Sequence, residues 1–442
     1  MNLTIFIIII YLIIMFLFGF LIKKAKNEEE YSTANQTLGI ISVVAGLVMT
    51  LFGAGFILGG AELGYKYGWY GLVYGWAAGF GLLLLGLFSN KIYNEMQVSK
   101  IKTIPSLLYN KFKSRKISYM SAILSIVALT AITSAQLFAA TRIFTALDIS
   151  IKGSLVITVV IVMLVASKGI NAITKFGKYN LIIASIGALA AILLASKIPV
   201  SAELVNNGFQ SISMSSLLWL IIPTSLYIVV GQDLHQKLYS SKNKKTIKIS
   251  CMIAGIILIL LSFFPVFIGI KSNSLFAIEP TESVPRFIIY SMPSIFKGLF
   301  IAAILAAVIG CAQSVINAAS TQVTEDLFKP TGKFSDKQLG KISSLSAVSL
   351  SLIAFVIALF STSIINNLII AYSIYTAGMF IPVMLAFYAK KPRRIAGSVF
   401  VASIFGAITA LVFELIIKIA VPSIVLGVGG SFLILVVLLF RV

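Results

Sequence analysis

MTLFGAGFILGGAELGY, residues 49–65, is apolar enough to lie in a membrane, yet it carries Gly53, Gly55, Gly59 and Gly60. A glycine inside a helix costs about 1 kcal/mol against alanine. Four in one span predict a helix that breaks instead of standing as a plain anchor. Interrupted backbone at membrane depth is tolerated only where it faces protein or a wet cavity. In carriers such breaks present free amides and carbonyls to cargo near the midplane. The stretch therefore points to a membrane carrier built around a discontinuous helix.

The surrounding chain agrees. Its 442 residues are 59% hydrophobic and only 11% charged, more apolar surface than a water-soluble fold of that length can hide. Apolar runs mark spans at 3–22, 39–65, 68–89, 117–146, 151–168, 177–197, 214–234, 248–270, 294–324, 343–361, 364–388, 395–418 and 421–440. The expectation is an all-α integral membrane protein of about thirteen transmembrane helices. The first span lacks a basic leading segment and a small-residue cleavage site, and Lys23-Lys24 follow it, so it reads as a retained helix.

The net charge of +21 reflects topology and not a nucleic-acid partner. Lys and Arg concentrate in alternate loops: 23–26, 91–116, 168–178, 237–248, 329–341, 390–394, and at Arg441. With those loops in the cytoplasm, the N-terminus lies outside and the C-terminus inside, in the cell membrane. The largest inner loops are expected at 90–116 and 325–342, and the outer ones at 198–213 and 271–293. Cys251 and Cys311 fall inside spans and imply no disulfide framework. His235, the sole histidine, falls in an expected cytoplasmic loop with Asp233 and Lys237, which reads as helix-end contacts or part of an inner gate. A lone histidine makes no metal site.

A second interruption is expected in 214–234, LLWLIIPTSLYIVVGQDLHQK and its lead-in, where Pro223 removes a backbone donor in mid-span. Counting from 49–65 as core helix one, this is core helix six. Two broken helices five apart match a five-plus-five inverted repeat with a site between them.

Residues 297–329, KGLFIAAILAAVIGCAQSVINAASTQVTEDLFK, line a small-residue face from Ala302 to Thr321 and end in a polar, acidic tail. This pattern, with Thr324-Glu325-Asp326-Leu327-Phe328 at its end, resembles core helix eight of the sodium/solute symporter family. Three further blocks are similar to that family: Thr50–Tyr65, nearest its choline-transporter branch; SAQLFAATR around Gln136; and GQDLHQKLYSSKNKKTIK (231–248), which resembles the loop after core helix six. The resemblance covers nearly the whole chain. It implies one LeuT-like transporter domain over 1–442, with an extra helix and loop in 1–36 and repeats in 37–198 and 212–388. Two extra helices follow in 389–442. It also implies a cation-coupled secondary transporter that works by alternating access.

In that family sodium lies between helix one and helix eight. Carried over, the carbonyl ligands fall on Met49, Phe52 and Ala307, and the hydroxyl pair falls on Gly310 and Cys311, which have no side-chain oxygen. Affinity is then expected to be weak unless water or Ser314 substitutes. The family's acidic residue at the start of helix five corresponds to Lys175. Sodium-independent relatives of the LeuT fold place a helix-five lysine where sodium would sit, so Lys175 is the expected coupling residue of a proton-coupled or uncoupled alternative. Na+ or H+ is thus the coupling ion, with no cofactor and no metal beyond that Na+.

Positions that contact sugar in sugar-transporting members fall on Leu51, Phe56, Gly75 and Ala78, which cannot satisfy a buried sugar's hydroxyls. The tryptophan of the choline cage corresponds to Leu51. The remaining lining is Thr50, Leu51, Phe52, Phe56, Tyr74, Trp76, Thr224 and Tyr227, suited to a small, partly apolar solute such as an amino acid or short carboxylate. Glu62 is expected near an outer vestibule, Arg142 near the outer end of its span, and Glu414 with Lys418 as an i,i+4 pair. No Walker loop and no Ser/His/Asp set is present, which speaks against an ATP-driven pump or an enzyme. The rival class is a transporter-like sensor; its expected output domain does not follow the last span. The partners expected are a small solute and the lipid bilayer, without nucleic acid.

Overall fold

The computed structural model describes residues 3–145, 150–197, 211–275, 278–361, 364–417 and 421–440. Among these the chain is helical apart from one isolated β-bridge, Leu38 with Ser241. Ten helices are long and apolar enough to cross a membrane, and three shorter apolar helices accompany them. Their outward faces are lined by side chains such as Ile14, Leu189 and Val127, exposed as lipid-facing residues would be.

The helix α1 (Leu3–Leu21) precedes a short α2 (Glu28–Thr33), capped by the Asn27 side chain. The helix α3 (Ile40–Leu51) ends in a break, resumes as a wide turn at Gly55–Gly59 and continues as α4 (Gly60–Tyr67). Then come α5 (Leu72–Leu87), α6 (Ser89–Ser99), α7 (Ile104–Phe112), α8 (Arg115–Thr145), α9 (Ile151–Ala166) and α10 (Ile170–Ser196). The expected loop at 90–116 is therefore mostly two helices, the second started by a capping box between Thr103 and Ser106 with Pro105 in its first turn.

The second half mirrors this order. The helix α11 (Met214–Val230) breaks at Gly231 and resumes as α12 (Gln232–Tyr239), followed by α13 (Lys244–Leu261), α14 (Phe263–Leu275) and α15 (Ser283–Ser291). Next come α16 (Ser294–Gln322), α17 (Asp336–Leu359), α18 (Ile364–Tyr388), α19 (Ala396–Val412) and α20 (Ser423–Leu439). Of the expected outer loop 198–213, residues 198–210 lie outside the described residues, as do Lys418 and Arg441. Glu414 accepts a hydrogen bond from the Ser423 hydroxyl.

The hub is α16, buried on almost every face and packed against α1, α3, α8, α9 and α10. Its alanines and Gly310 allow that close approach. The lone bridge has a mechanical role. Leu38 N–H donates to Ser240 O at 3.0 Å and Lys242 N–H to Leu38 O at 3.0 Å, tying the start of α3 to the end of α12.

Candidate functional site

Both broken helices open beside α16. On the first, Phe52 leaves the helix (φ −80, ψ 58) and Gly53 follows. A Cβ on Gly53 would stand 2.5 Å from Gln136 Oε1 and 2.8 Å from Cys311 Sγ, so only glycine lets α8 and α16 close on the break. Gln136 Oε1 accepts the Ala54 N–H at 2.7 Å, and the Cys311 thiol donates to Thr50 O at 2.9 Å. The Thr50 hydroxyl donates to Gly46 O at 2.7 Å and lies 2.6 Å from the Ser314 hydroxyl. The amides and carbonyls freed by the break are thus partly held by two neighbouring helices.

On the second, Gly231 is extended (φ −65, ψ 121). Val230 O accepts from the Tyr375 hydroxyl at 2.8 Å, and Val229 O lies 2.9 Å from His235 Nε2. That carbonyl accepts only, so Nε2 carries the ring proton, leaving Nδ1 to face the Tyr239 hydroxyl at 3.2 Å. Asp233, in the first turn of α12, accepts from the Tyr227 hydroxyl at 2.9 Å and from the Leu234 N–H at 3.1 Å. The Tyr227 ring stacks on Tyr372 with centroids 4.2 Å apart and meets Tyr375 edge-on at 5.8 Å.

Asp233 and Lys237 share one helix face at i,i+4 and are both buried. Neither forms an ion pair among the described residues, and Lys237 Nζ has no hydrogen-bond partner. A charge left without a direct partner at membrane depth is costly and marks function by default.

Several expectations are corrected. The second break falls at Gly231 and not at Pro223, which stays inside α11. Within the segment 231–248, read as the loop after core helix six, Gln232–Tyr239 is the second half of the broken helix, with Asp233, His235 and Lys237 all buried. Trp76 points outward, 37% exposed, with its ring 6.4 Å from Phe263, so it does not line the site. Lys175 is exposed on α10 and its ammonium does not enter the helix-one/helix-eight junction.

Thr50, Phe52, Phe56, Tyr74, Thr224 and Tyr227 are buried about the breaks, and Leu51 is half-buried. Phe52 and Phe56 rings lie 5.2 Å apart, and the Tyr74 hydroxyl reaches within 2.9 Å of where a Cβ on Gly55 would stand. Met49, Ala307, Gly310, Cys311 and Ser314 come together where α3 meets α16. A Cβ on Gly310 would stand 3.1 Å from Met49 Cε and 3.3 Å from Asn180 Nδ2, which donates to Ala306 O at 3.2 Å.

The pattern that defines the Sodium:solute symporter family matches residues 31–406. The chain belongs to the sodium:solute symporter family. Members of that family are symporters. A structure of a Na+-coupled sialic acid symporter, substrate-bound and outward-open, superposes with TM-score 0.83 at 16% identity, over 99% of this chain and 96% of that one. The nucleobase-cation-symport-1 transporter MHP1, closed with bromovinylhydantoin bound, gives TM-score 0.62 at 14% identity over 92% of each chain. These likenesses show the LeuT-like fold. Sodium/glucose cotransporter 1 of Oryctolagus cuniculus is 25% identical over 154 residues, 30% of this chain. The chain spans 23% of the length of that relative.

The residues that the family resemblance assigns to sodium fit that ion poorly. Hard cations take oxygen, while Gly310 offers no side chain and Cys311 offers sulfur. The thiol also occupies the Thr50 carbonyl.

A second charged cluster lies at the Lys-rich face. Lys102 Nζ contacts Glu28, Glu325 at 3.1 Å and Glu29 at 3.5 Å, and Lys329 covers Glu325 from outside at 2.7 Å. Burial works against the Lys102 ammonium, but Glu28 and Glu325 outweigh it and hold its pKa above the ordinary lysine value. The Thr103 hydroxyl donates to Asp326 Oδ1 at 2.7 Å. Together these contacts fasten α2 and the start of α7 to the end of α16.

The family match could be read from the helix-eight pattern. In sequence Asp233 and Lys237 read as loop charges, helix-end contacts or part of an inner gate, because charges after an apolar run look solvated. The signal was Gly231, a breaker followed at once by Gln and Asp, the composition of a new helix start.

Proposed function

We propose that this symporter-family chain carries a small amino-acid-like solute between its two helix breaks. Asp233 carries the reading: a buried carboxylate at the break of the second helix, beside a tyrosine stack, without an ion pair among the described residues. An organic ammonium gives that carboxylate the direct ion-pair partner it lacks, and the Tyr227 and Tyr372 rings favour it further. The carboxylate of such a solute suits the positive end of the half-helix that starts after Gly53. Thr50, Leu51, Phe52, Phe56, Tyr74, Thr224 and Tyr227 complete the lining.

The repeats 37–198 and 212–388 rock about this site, with the N-terminus outside and the C-terminus in the cytoplasm, an orientation supported by the basic loops. The helix-one likeness to the choline branch lacks that branch's tryptophan, since Leu51 stands there. Coupling is a separate matter. Family membership favours sodium, whereas Gly310 and Cys311 offer it no side-chain oxygen.

A thermal-shift screen of the purified chain against amino acids, carboxylates and amines, with and without sodium, tests the solute. Amino acids should raise the melting temperature by about 2–4 °C near tenfold saturation. Asp233→Asn should abolish that rise. A response to carboxylates that lack an amine would defeat the reading.

A further inference from the structure

We infer that the Lys237 ammonium is a built-in cation, standing where α3, α12 and α16 meet, in the place a coupling ion would take, so that solute movement needs no sodium. The inference rests on the reading of this junction as the transporter's centre. Lys237 is fully buried and its Nζ has no hydrogen-bond partner. Its stem runs along α3: a Cβ on Gly46 would stand 3.4 Å from Lys237 Cγ and 3.5 Å from Cδ. Gly46 lies one helical turn before Thr50, so the stem passes beside the end of α3. The ammonium interacts electrostatically with Asp233 on its own helix and with Cys311 on α16. A lysine at that depth is costly unless its charge is used.

The surrounding atoms leave a mobile cation little to bind. Cys311 donates its thiol to Thr50 O instead of accepting an ion. Met49 and Asn180 crowd the space beside Gly310 where a hydroxyl would otherwise project. Thr50 and Ser314 satisfy one another at 2.6 Å. Asp233 lies one turn from the lysine on the same helix face and closes no ion pair with it. A cation joined to the chain does not cross with the solute, so a sodium gradient supplies no driving force.

The test is equilibrium binding of radioactive Na+ to the purified full chain, with melting temperature compared in sodium and potassium salts. Wild type and the double variant Gly310→Ser/Cys311→Ser should bind no saturable Na+, because Lys237 remains. Adding Lys237→Met to that double variant should create saturable binding and a sodium-specific rise of about 2–4 °C. Saturable Na+ binding by wild type, or by the double variant, overturns the inference. So does a triple variant that elutes and melts as a folded protein yet gains none. The wild-type result stands even if a variant fails to fold. Because the readout is Na+ itself, it is independent of the solute screen, and either proposal can fail alone.

Discussion

Two charged clusters among the described residues of this symporter-family chain are built on opposite principles. At the Lys-rich face, Lys102 contacts Glu28, Glu29 and Glu325, and Lys329 covers the last of these. At the centre, Asp233 and Lys237 share a helix face and close no ion pair. The first cluster pairs its lysines with carboxylates of the same chain and acts as a fastener. The second is complete only with something added, as a binding site must be.

That contrast is exposed most severely by Lys102→Met. Removing one partner of a buried pair leaves the carboxylates stranded and should cost about 3–5 kcal/mol. Chemical denaturation should record the loss, while solute affinity of the folded fraction stays unchanged. Asp233→Asn should do the reverse, weakening solute binding by roughly 30-fold or more with little change in melting temperature. If Asp233→Asn instead unfolds the protein with affinity intact, the centre is a second fastener and the comparison collapses.

A smaller effect is expected at the first break. Gly53→Ala puts a methyl group against Gln136 and Cys311, an overpacking worth about 1–3 kcal/mol. Uptake into proteoliposomes should fall with it, since α8 and α16 can no longer close on the unwound segment. The smallest effects belong to Trp76→Ala and Lys175→Ala. Both residues are exposed, so stability should move by less than about 0.5 kcal/mol and uptake should hold. A loss of uptake in either would extend the site beyond the two breaks.

What could be read from the chain, and what could not, follows from the same physics. The glycines after Leu51 announce the first break because helix cost is local, and the apolar runs announce the spans because lipid demands them. Gly231 was passed over for Pro223, the stronger breaker in water. Within the membrane neighbouring groups can re-satisfy a backbone interrupted by proline, and α11 runs through it. Asp233, His235 and Lys237 look solvated in sequence. Their burial comes from contacts distant in sequence: beside them, the Gln236 side-chain amide lies within hydrogen-bond reach of Ser32 O, Asn317 Oδ1 and Thr321 Oγ1, 81 to 204 residues away along the chain. Trp76 is instructive in another way. It lies two residues from the buried Tyr74, and i,i+2 residues on a helix do not share a face, so only one of the two could turn inward.

The thiol of Cys311 has a practical consequence. It is buried on the hub helix against the unwound carbonyl of Thr50, and the chain's other thiol, Cys251, is buried on α13. A maleimide can reach Cys311 only while the bundle gapes. The rate of its alkylation is therefore a clock for opening, readable in a native membrane before any cargo has been identified.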